Sequence, residues 1–228
     1  MYYSIDNIYK LNKRQNNFLL SVTHEFKTPI ASIRLMLQTS KHPKVKEEKR
    51  AELIDDSILN THRLEDLAKN MLTAMQIENE KYDYQFSEVN LSQMVTDEVG
   101  NQEIKGEINA HIEPGISIVG DDFIWRMVIN NLIENAFKYS DNQPIEVELA
   151  VRDKFKTLQV RDHGVGIHKE DMKDIFKKFY RVQDEETRTT KGTGLGLFIV
   201  KQTVEKHNGK IYVSANKPKG SIFTIKLP

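Results

Sequence analysis

The sequence is most informative at residues 130–139, which read Asn130-Asn131-Leu132-Ile133-Glu134-Asn135-Ala136-Phe137-Lys138-Tyr139. On a helix, at about 100° per residue, two amides, a carboxylate and a lysine share one stripe above an apolar face. The polar stripe consists of Asn131, Glu134, Asn135 and Lys138. Asparagine is a mediocre helix former, so two of them in one stripe favour ligand binding, although a solvated helix face is the alternative. Amide and carboxylate oxygens suit a hard cation such as Mg²⁺, and a lysine suits phosphate.

Short β-type segments alternate with helical patterns on both sides of this stretch. We predict strands at residues 84–89, 107–112, 145–151, 155–161, 210–214 and 221–227, and helices at residues 91–104, 122–139 and 195–207. Runs of adjacent strands mixed with helices are typical of an α+β fold with helices on one face of a mixed sheet.

A short glycine motif follows the strand predicted at residues 155–161. It reads Asp162-His163-Gly164-Val165-Gly166 and combines one fixed acceptor with two glycines that let the backbone approach a ligand closely. By itself this signal is weak, because turns with two glycines are common.

A second glycine-rich loop runs into the last predicted helix and reads Lys191-Gly192-Thr193-Gly194-Leu195-Gly196. It resembles a phosphate-binding loop, whose backbone N–H groups and helix N-terminus attract anions. It lacks the Gly-Lys-Ser/Thr of a P-loop, so nucleotide binding would use another fold. Residues 183–194 contain no apolar side chain, which predicts a mobile lid, with a plain exposed loop as the alternative.

The first 78 residues differ from the rest of the chain, because their sequence pattern is helical throughout. There is no glycine before Gly100, and an apolar stripe from Ile8 to Leu37 marks a helix of about 35 residues. Residues 40–44 break it, and a second periodic run extends to Met75. Two long helices and a short connection predict an antiparallel hairpin. Because a lone hairpin leaves apolar surface in water, we expect a second copy to complete a four-helix bundle.

His24 lies on the polar face of the first helix, opposite its apolar stripe. Glu25 is adjacent, Thr28 follows one turn later, and Pro29 removes a backbone donor, so we expect a kink after His24. An ordinary solvated histidine is the alternative. A proline in the middle of a long helix costs about 3 kcal/mol, which favours a functional role.

Composition excludes several classes of function. The chain has 33 Lys and Arg against 33 Asp and Glu, so its zero net charge argues against nucleic acid as the main ligand. The absence of cysteine excludes disulfides, thiolate metal sites and cysteine nucleophiles. The longest apolar run, residues 197–200, is far shorter than the roughly 20 residues of a membrane span.

The order of these motifs closely resembles that of the sensor histidine kinases of two-component systems. Residues 21–29 look like their H box, 131–139 like the N box, 162–166 like the G1 box, 176–181 like the F box and 192–197 like the G2 box. The resemblance covers essentially the whole chain. It implies a dimeric helical hairpin at residues 1–80 that carries the phosphoacceptor, and a Bergerat-type ATP-binding α/β sandwich at residues 81–228.

The resemblance also implies roles for single residues. His24 would be the nucleophile and phosphorylation site, Glu25 would accept its proton, and Thr28 would orient a water for dephosphorylation. Asn135 would hold Mg²⁺, Asp162 would accept from the adenine amino group, and Arg181 would approach the γ-phosphate. The other candidates around ATP are Asn131, Lys138, Tyr139, Gly164, Gly166, Lys191, Gly192, Thr193, Gly194, Leu195 and Gly196. The sequence departs from the family at His163, where asparagine is usual.

Two alternatives are weighed against this interpretation. An ATPase module of the topoisomerase or chaperone kind would share the nucleotide motifs but has no use for the His24 motif. A degenerate kinase that serves only as a binding platform is disfavoured, because each box keeps its polar ligand. The resemblance implies transfer from His24 to an aspartate of a partner response regulator and allows phosphatase activity on it. It also suggests a cytoplasmic fragment of a membrane-anchored receptor.

Overall fold

The structure, a computed structural model, describes residues 2–102, 106–182 and 193–228. It divides into two compact units. The first holds the chain up to Gln76 together with the described residues 193–195, and the second comprises Ile77–Val182 and Gly196–Pro228.

Two long helices form the predicted hairpin. Helix α1 spans Tyr2–Ser40 and α2 spans Glu47–Glu78, so the break predicted at residues 40–44 is confirmed. Helix α1 continues through Pro29, and the kink expected there stays a prediction. In the part of the chain that the structure describes, no helix is both long and apolar enough to cross a membrane.

Large apolar side chains remain exposed along both hairpin helices of the single chain. They include Leu35, Leu37, Ile54, Ile58, Leu72 and Met75. Apolar surface of this extent in a soluble helix pair is the kind that association with another helix pair covers.

The second unit contains the remaining elements. In chain order they are β1 (Ser87–Asn90), α3 (Leu91–Gln102), β2 (Ile108–Ile112), β3 (Ser117–Gly120), α4 (Asp122–Tyr139), β4 (Ile145–Arg152), β5 (Phe155–Arg161), α5 (Gly196–Lys206), β6 (Lys210–Ala215) and β7 (Ser221–Leu227). Strands β1 and β3 pair with each other, and the other five form a sheet in the order β2-β4-β5-β7-β6. Because β2 is parallel to β4 and all other pairs are antiparallel, the sheet is mixed, as predicted.

The sheet has one apolar face and one polar face. In the register of β4 and β5, Val147 lies opposite Val160 and Leu149 opposite Leu158, and all four side chains are buried. The intervening residues of β4, including Glu146, point to the other face, since successive side chains alternate. Helices α3, α4 and α5 pack in a row, and α4 contacts β4 and β5.

Helix α4 is the centre of this packing and has the predicted bounds. Its N-cap is Asp121, whose Oδ1 accepts from the backbone N–H of Ile124 at 3.1 Å. Trp125, Leu132 and Ile133 on its inner side have no exposed surface. The apolar face is thereby fixed in the core, and the opposite stripe is left for ligands.

The prediction was wrong at two strands. The strand expected from residue 84 begins at Ser87, because the N–H of Gln85 is bound by the Asp121 carboxylate at 2.9 Å instead of a strand partner. Strand β3 was not predicted, since its four residues are too few to show alternation.

Candidate functional site

His24 is exposed on α1, within the first unit. The hydroxyl of Thr28 donates to the carbonyl oxygen of His24 at 3.1 Å, so only the lone pairs of that hydroxyl are left for another group. Pro29 has no N–H, so it cannot donate to the carbonyl oxygen of Glu25 as another residue at that helix position would. His24 is thus an accessible imidazole that is next in sequence to the carboxylate of Glu25.

The asparagine stripe of α4 lies in the second unit and is fixed at its first member. The side-chain amide of Asn131 donates to the carbonyl oxygen of Met127 at 2.8 Å, which leaves its Oδ1 as the outward group. A Cβ built on Gly196 would lie only 2.3 Å from that Oδ1. The glycine at the start of α5 therefore allows this helix to begin close to Asn131.

The rest of the stripe is only partly covered by the fold. Asn135 and Lys138 are half-buried, whereas the residues between them face the core. The Nζ of Lys138 lies 5.0 Å from the centre of the Tyr139 ring, which places a cation and an exposed aromatic face at the end of α4.

The motif at residues 162–166 lies directly against the C-terminal end of α4. A Cβ on Gly164 would come within 1.4 Å of the carbonyl oxygen of Tyr139, so no other residue fits at that position. Gly166 has φ of +74°, in the left-handed region that favours glycine. Three segments that are distant in sequence, namely the asparagine stripe, this motif and the start of α5, thus meet at one helix.

Asp162 is the buried acceptor of this motif. It is 3% exposed, and its Oδ1 accepts from the backbone N–H of Gly164 at 3.0 Å. Burial raises the pKa of the Asp162 carboxyl, and the hydrogen bonds from the backbone of Gly164 and from Ser221 only partly oppose this shift. A donor supplied by a ligand would relieve the cost of keeping the carboxylate charged.

The predicted residues of the F box and the glycine loop are placed only in part. Phe176 packs edge to face on Phe223, and the hydroxyl of Tyr180 donates to Asp171 at 2.5 Å. Arg181 follows this turn and is half-buried.

In the glycine loop, Gly194 has φ of +72°, and Thr193 and Leu195 flank it. Lys191, Gly192 and most of the expected lid lie outside the described residues.

Three further residues support the Asp162 motif and were not identified from sequence. The backbone N–H of Asp162 donates to the carbonyl oxygen of Ser221 at 3.0 Å, and Asn216 donates to the carbonyl oxygen of Asp162 at 2.9 Å. Glu146 lies 3.0 Å from Nε2 of His163. These contacts join residues that are more than 15 positions apart in the sequence, so no local pattern could reveal them.

Whether Mg²⁺ fits this site depends on the oxygen ligands that the protein offers it. Among the described residues there is no group of three or more His, Asp or Glu that could hold a metal ion. Asn135 offers one amide oxygen on the accessible stripe. Mg²⁺ usually takes few protein ligands and completes its shell with phosphates and waters, so this donor set fits an ion that arrives with a nucleotide.

The comparisons with protein families agree with this geometry. Residues 14–80 match the model of the His Kinase A (phospho-acceptor) domain. Residues 120–228 match the model of the histidine kinase-, DNA gyrase B- and HSP90-like ATPases. The class that fold and motifs define is thus a phosphoacceptor hairpin joined to an ATPase-type domain.

Individual proteins give the same result. The chain is 31% identical to the sensor protein RprX of Bacteroides fragilis over 96% of this chain and 44% of that protein. It is 30% identical to the sensor histidine kinase YclK of Bacillus subtilis over 99% of this chain and 49% of that protein. Among solved structures, Acinetobacter baumannii histidine kinase AdeS aligns with a TM-score of 0.59 and 25% identity over 90% of this chain and 96% of that one.

The chain therefore belongs to the sensor histidine kinases of two-component systems. It spans about half the length of the curated relatives it matches. The His Kinase A match at residues 14–80 disfavours the alternative of a topoisomerase- or chaperone-type ATPase module.

Proposed function

We propose that this chain phosphorylates itself on His24 with ATP and Mg²⁺ and passes the phosphoryl group to an aspartate of a response regulator. The observation that supports the nucleotide site is the meeting of three motifs at α4. Gly164 lies against Tyr139, and Gly196 lies against Asn131. Asp162, in the same motif as Gly164, supplies a buried acceptor. An adenine held by Asp162 would place its phosphates towards the asparagine stripe and the glycine loop.

In the proposed reaction, one nitrogen of the neutral His24 imidazole bonds to the γ-phosphorus. The bond from that phosphorus to the bridging oxygen breaks, and ADP leaves. The proton on the other ring nitrogen, which becomes acidic, passes to Glu25. Bound Mg²⁺ would neutralise charge on the phosphates, with Asn135 as its protein ligand.

The remaining assignments follow from the same proposal. Lys138 and Arg181 would balance charge on the phosphates, with Arg181 directed to the γ-phosphate. In the second step, an aspartate oxygen of the regulator attacks the phosphorus, the P–N bond breaks, and the imidazole of His24 takes back the proton held by Glu25 and leaves as the neutral ring. The lone pairs of the Thr28 hydroxyl would accept from a water in a phosphatase reaction on that regulator.

The domain limits and the assembly are also proposals. We place the boundary at residues 80 and 81, which is supported by the end of α2 at Glu78 and the start of β1 at Ser87. The exposed apolar side chains of the hairpin support a homodimer through a four-helix bundle. The relatives named as sensor proteins support a parent protein that is anchored in the membrane with this part on the cytoplasmic side.

The test of this function is incubation of the chain with Mg²⁺ and γ-labelled ATP. We expect a protein-bound label that is labile in acid and stable in base, as a phosphoramidate is. Absence of label from a folded, ADP-binding protein would contradict the proposal.

A further inference from the structure

The backbone of Asp162 is held on both sides by the hairpin of β6 and β7. Its N–H donates to the carbonyl oxygen of Ser221 at 3.0 Å, and its carbonyl oxygen accepts from Nδ2 of Asn216 at 2.9 Å. The hairpin turn packs closely here, since a Cβ on Gly220 would lie 2.0 Å from the same carbonyl oxygen. The Asn216 amide is therefore one of the groups that hold the backbone from which the Asp162 carboxylate projects.

The amide of Asn216 is itself oriented by His163. Its Nδ2 lies 3.3 Å from Nδ1 of His163, and its Oδ1 accepts from the backbone N–H of Lys217 at 2.9 Å. Because Nδ2 can only donate, Nδ1 of His163 must be the acceptor. Rotation of the amide by 180° would exchange these groups and lose all three of its hydrogen bonds, including the one to Asp162.

The tautomer of His163 is fixed from the other side of the ring. Its Nε2 lies 3.0 Å from Oε1 of Glu146, which accepts, so the ring proton is on Nε2 and Nδ1 keeps its lone pair. Glu146 also accepts from Arg161 at 3.0 Å. Although burial alone would raise the pKa of Glu146, the hydrogen bonds from Arg161 and His163 lower it, so this carboxyl stays an acceptor.

We propose that His163 is a positioning residue for nucleotide binding, and that it acts by orienting the Asn216 amide that holds the carbonyl oxygen of Asp162. The inference rests on the proposed role of Asp162 as the acceptor of the adenine amino group. The active atom of His163 is Nδ1, and the contact of Nε2 with Glu146 serves only to keep the proton off Nδ1.

Two substitutions test the contacts of the two ring nitrogens of His163 separately. In His163→Asn, the amide oxygen can occupy the place of Nδ1 and accept from Asn216, while the contact with Glu146 is lost. In His163→Gln, the longer amide can reach Glu146, while no acceptor remains beside Asn216. Asn216→Asp keeps the oxygen that binds Lys217 and removes both donors.

The experiment measures the affinity of the full chain for ADP and for inosine diphosphate, which carries an oxygen where adenine carries its amino group. ADP is used because its binding does not depend on chemistry at His24. We expect His163→Gln and Asn216→Asp to weaken ADP roughly 3- to 10-fold, the equivalent of about one hydrogen bond, and to lower the preference for ADP over inosine diphosphate. His163→Asn should retain both quantities to within about 2-fold. A purely structural effect would weaken the two nucleotides equally.

Asp162→Asn distinguishes failure of this inference from failure of the site. If Asp162→Asn abolishes the preference for ADP while His163→Gln and Asn216→Asp keep it, the role of His163 is wrong and the adenine site stands. If His163→Asn loses the preference as fully as His163→Gln, the acceptor at Nδ1 is not the active feature and the inference is overturned. If Asp162→Asn keeps the preference, the proposed adenine site is wrong and the inference falls with it.

Discussion

The indole N–H of Trp125 donates to Nε2 of His207 at 3.1 Å. Nδ1 of the same ring lies 2.7 Å from the carbonyl oxygen of Thr203, so Nδ1 carries the proton and the imidazole is neutral. A Cβ on Gly120 would come within 2.6 Å of the indole nitrogen, which explains the glycine there. This pair joins the end of α5 to the start of α4, the helix that carries the asparagine stripe.

The Trp125–His207 contact predicts a pH dependence of stability. Burial lowers the pKa of His207 below its usual 6.5; the hydrogen bond to Thr203 and the charge of Asp121 oppose this shift, and Lys206 adds to it. The unfolded chain therefore binds this proton at a higher pH than the folded unit does. The stability that neutral His207 contributes is present above pH 6.5 and is lost as the pH falls through the folded pKa.

The measurement uses urea unfolding followed by Trp125 fluorescence, which is specific because the chain has one tryptophan. We expect the free energy of unfolding to fall between about pH 7 and pH 5, and to fall less in His207→Gln, which keeps an acceptor. An equal pH dependence in the two proteins would contradict the assignment.

The residues around the Trp125–His207 contact show where prediction from sequence succeeded and where it failed. Helix α4 was predicted with its bounds because its apolar period is a local signal, and the structure adds the cap at Asp121. A strand was predicted from residue 84, but Tyr84 and Phe86 pack beside His207, and Tyr82 donates to Asp121 at 3.4 Å. Side-chain contacts with distant residues replaced strand pairing there, and a local pattern cannot report them.

The nucleotide site was predictable to a similar extent. The stripe of α4, the acceptor Asp162 and the glycines stand in short motifs, so their residue types alone indicated ligand binding. Their support could not be predicted, because Glu146 on β4 and Asn216 just after β6 are far along the chain from Asp162 and His163. The reasons for Gly164 and Gly196 are contacts with Tyr139 and Asn131 that only the fold creates.

Burial of Asp162 predicts that ADP affinity depends on pH. Burial raises the pKa of this carboxyl, and the ionised form is the stronger acceptor for the adenine amino group, so binding releases protons at low pH. We expect ADP affinity to decrease as the pH falls through the folded pKa of Asp162. Calorimetry at several pH values checks this, with inosine diphosphate as the control. An equal loss for both nucleotides would contradict the role of Asp162.

Substitutions of three glycines distinguish an effect on ADP binding from an effect on the stability of the second unit. Gly196→Ala places a Cβ against the flexible end of Asn131, so we expect a folded protein with about tenfold weaker ADP binding. Gly164→Ala meets the rigid backbone at Tyr139 and should destabilise the second unit by several kcal/mol. Gly100→Ala, on helix α3 with nothing within 4 Å, is the control and should stabilise by about 0.5–1 kcal/mol. Normal ADP binding by Gly196→Ala would count against the contact of the glycine loop with Asn131.

The exposed apolar side chains of the hairpin predict a dimer. We expect the full chain to sediment as a dimer at micromolar concentration, because Ile58 and its exposed apolar neighbours are costly in water. Ile58→Glu should weaken the dimer at least tenfold, whereas Arg63→Glu, at an exposed charged position on the same helix, is the control. A folded wild-type monomer would refute the four-helix bundle.

The location of the phosphoryl group is the most direct test of the proposed kinase activity. The full chain, His24→Gln and His62→Gln are incubated with Mg²⁺ and γ-labelled ATP, and the labelled residue is identified by mass spectrometry. His62 is the matched control, because it is also exposed on the hairpin and lies 3.4 Å from a carboxylate, that of Glu65. We predict acid-labile label on His24 in the wild type and in His62→Gln, and none in His24→Gln with ADP binding unchanged. Label that persists at the wild-type rate in His24→Gln would contradict the account.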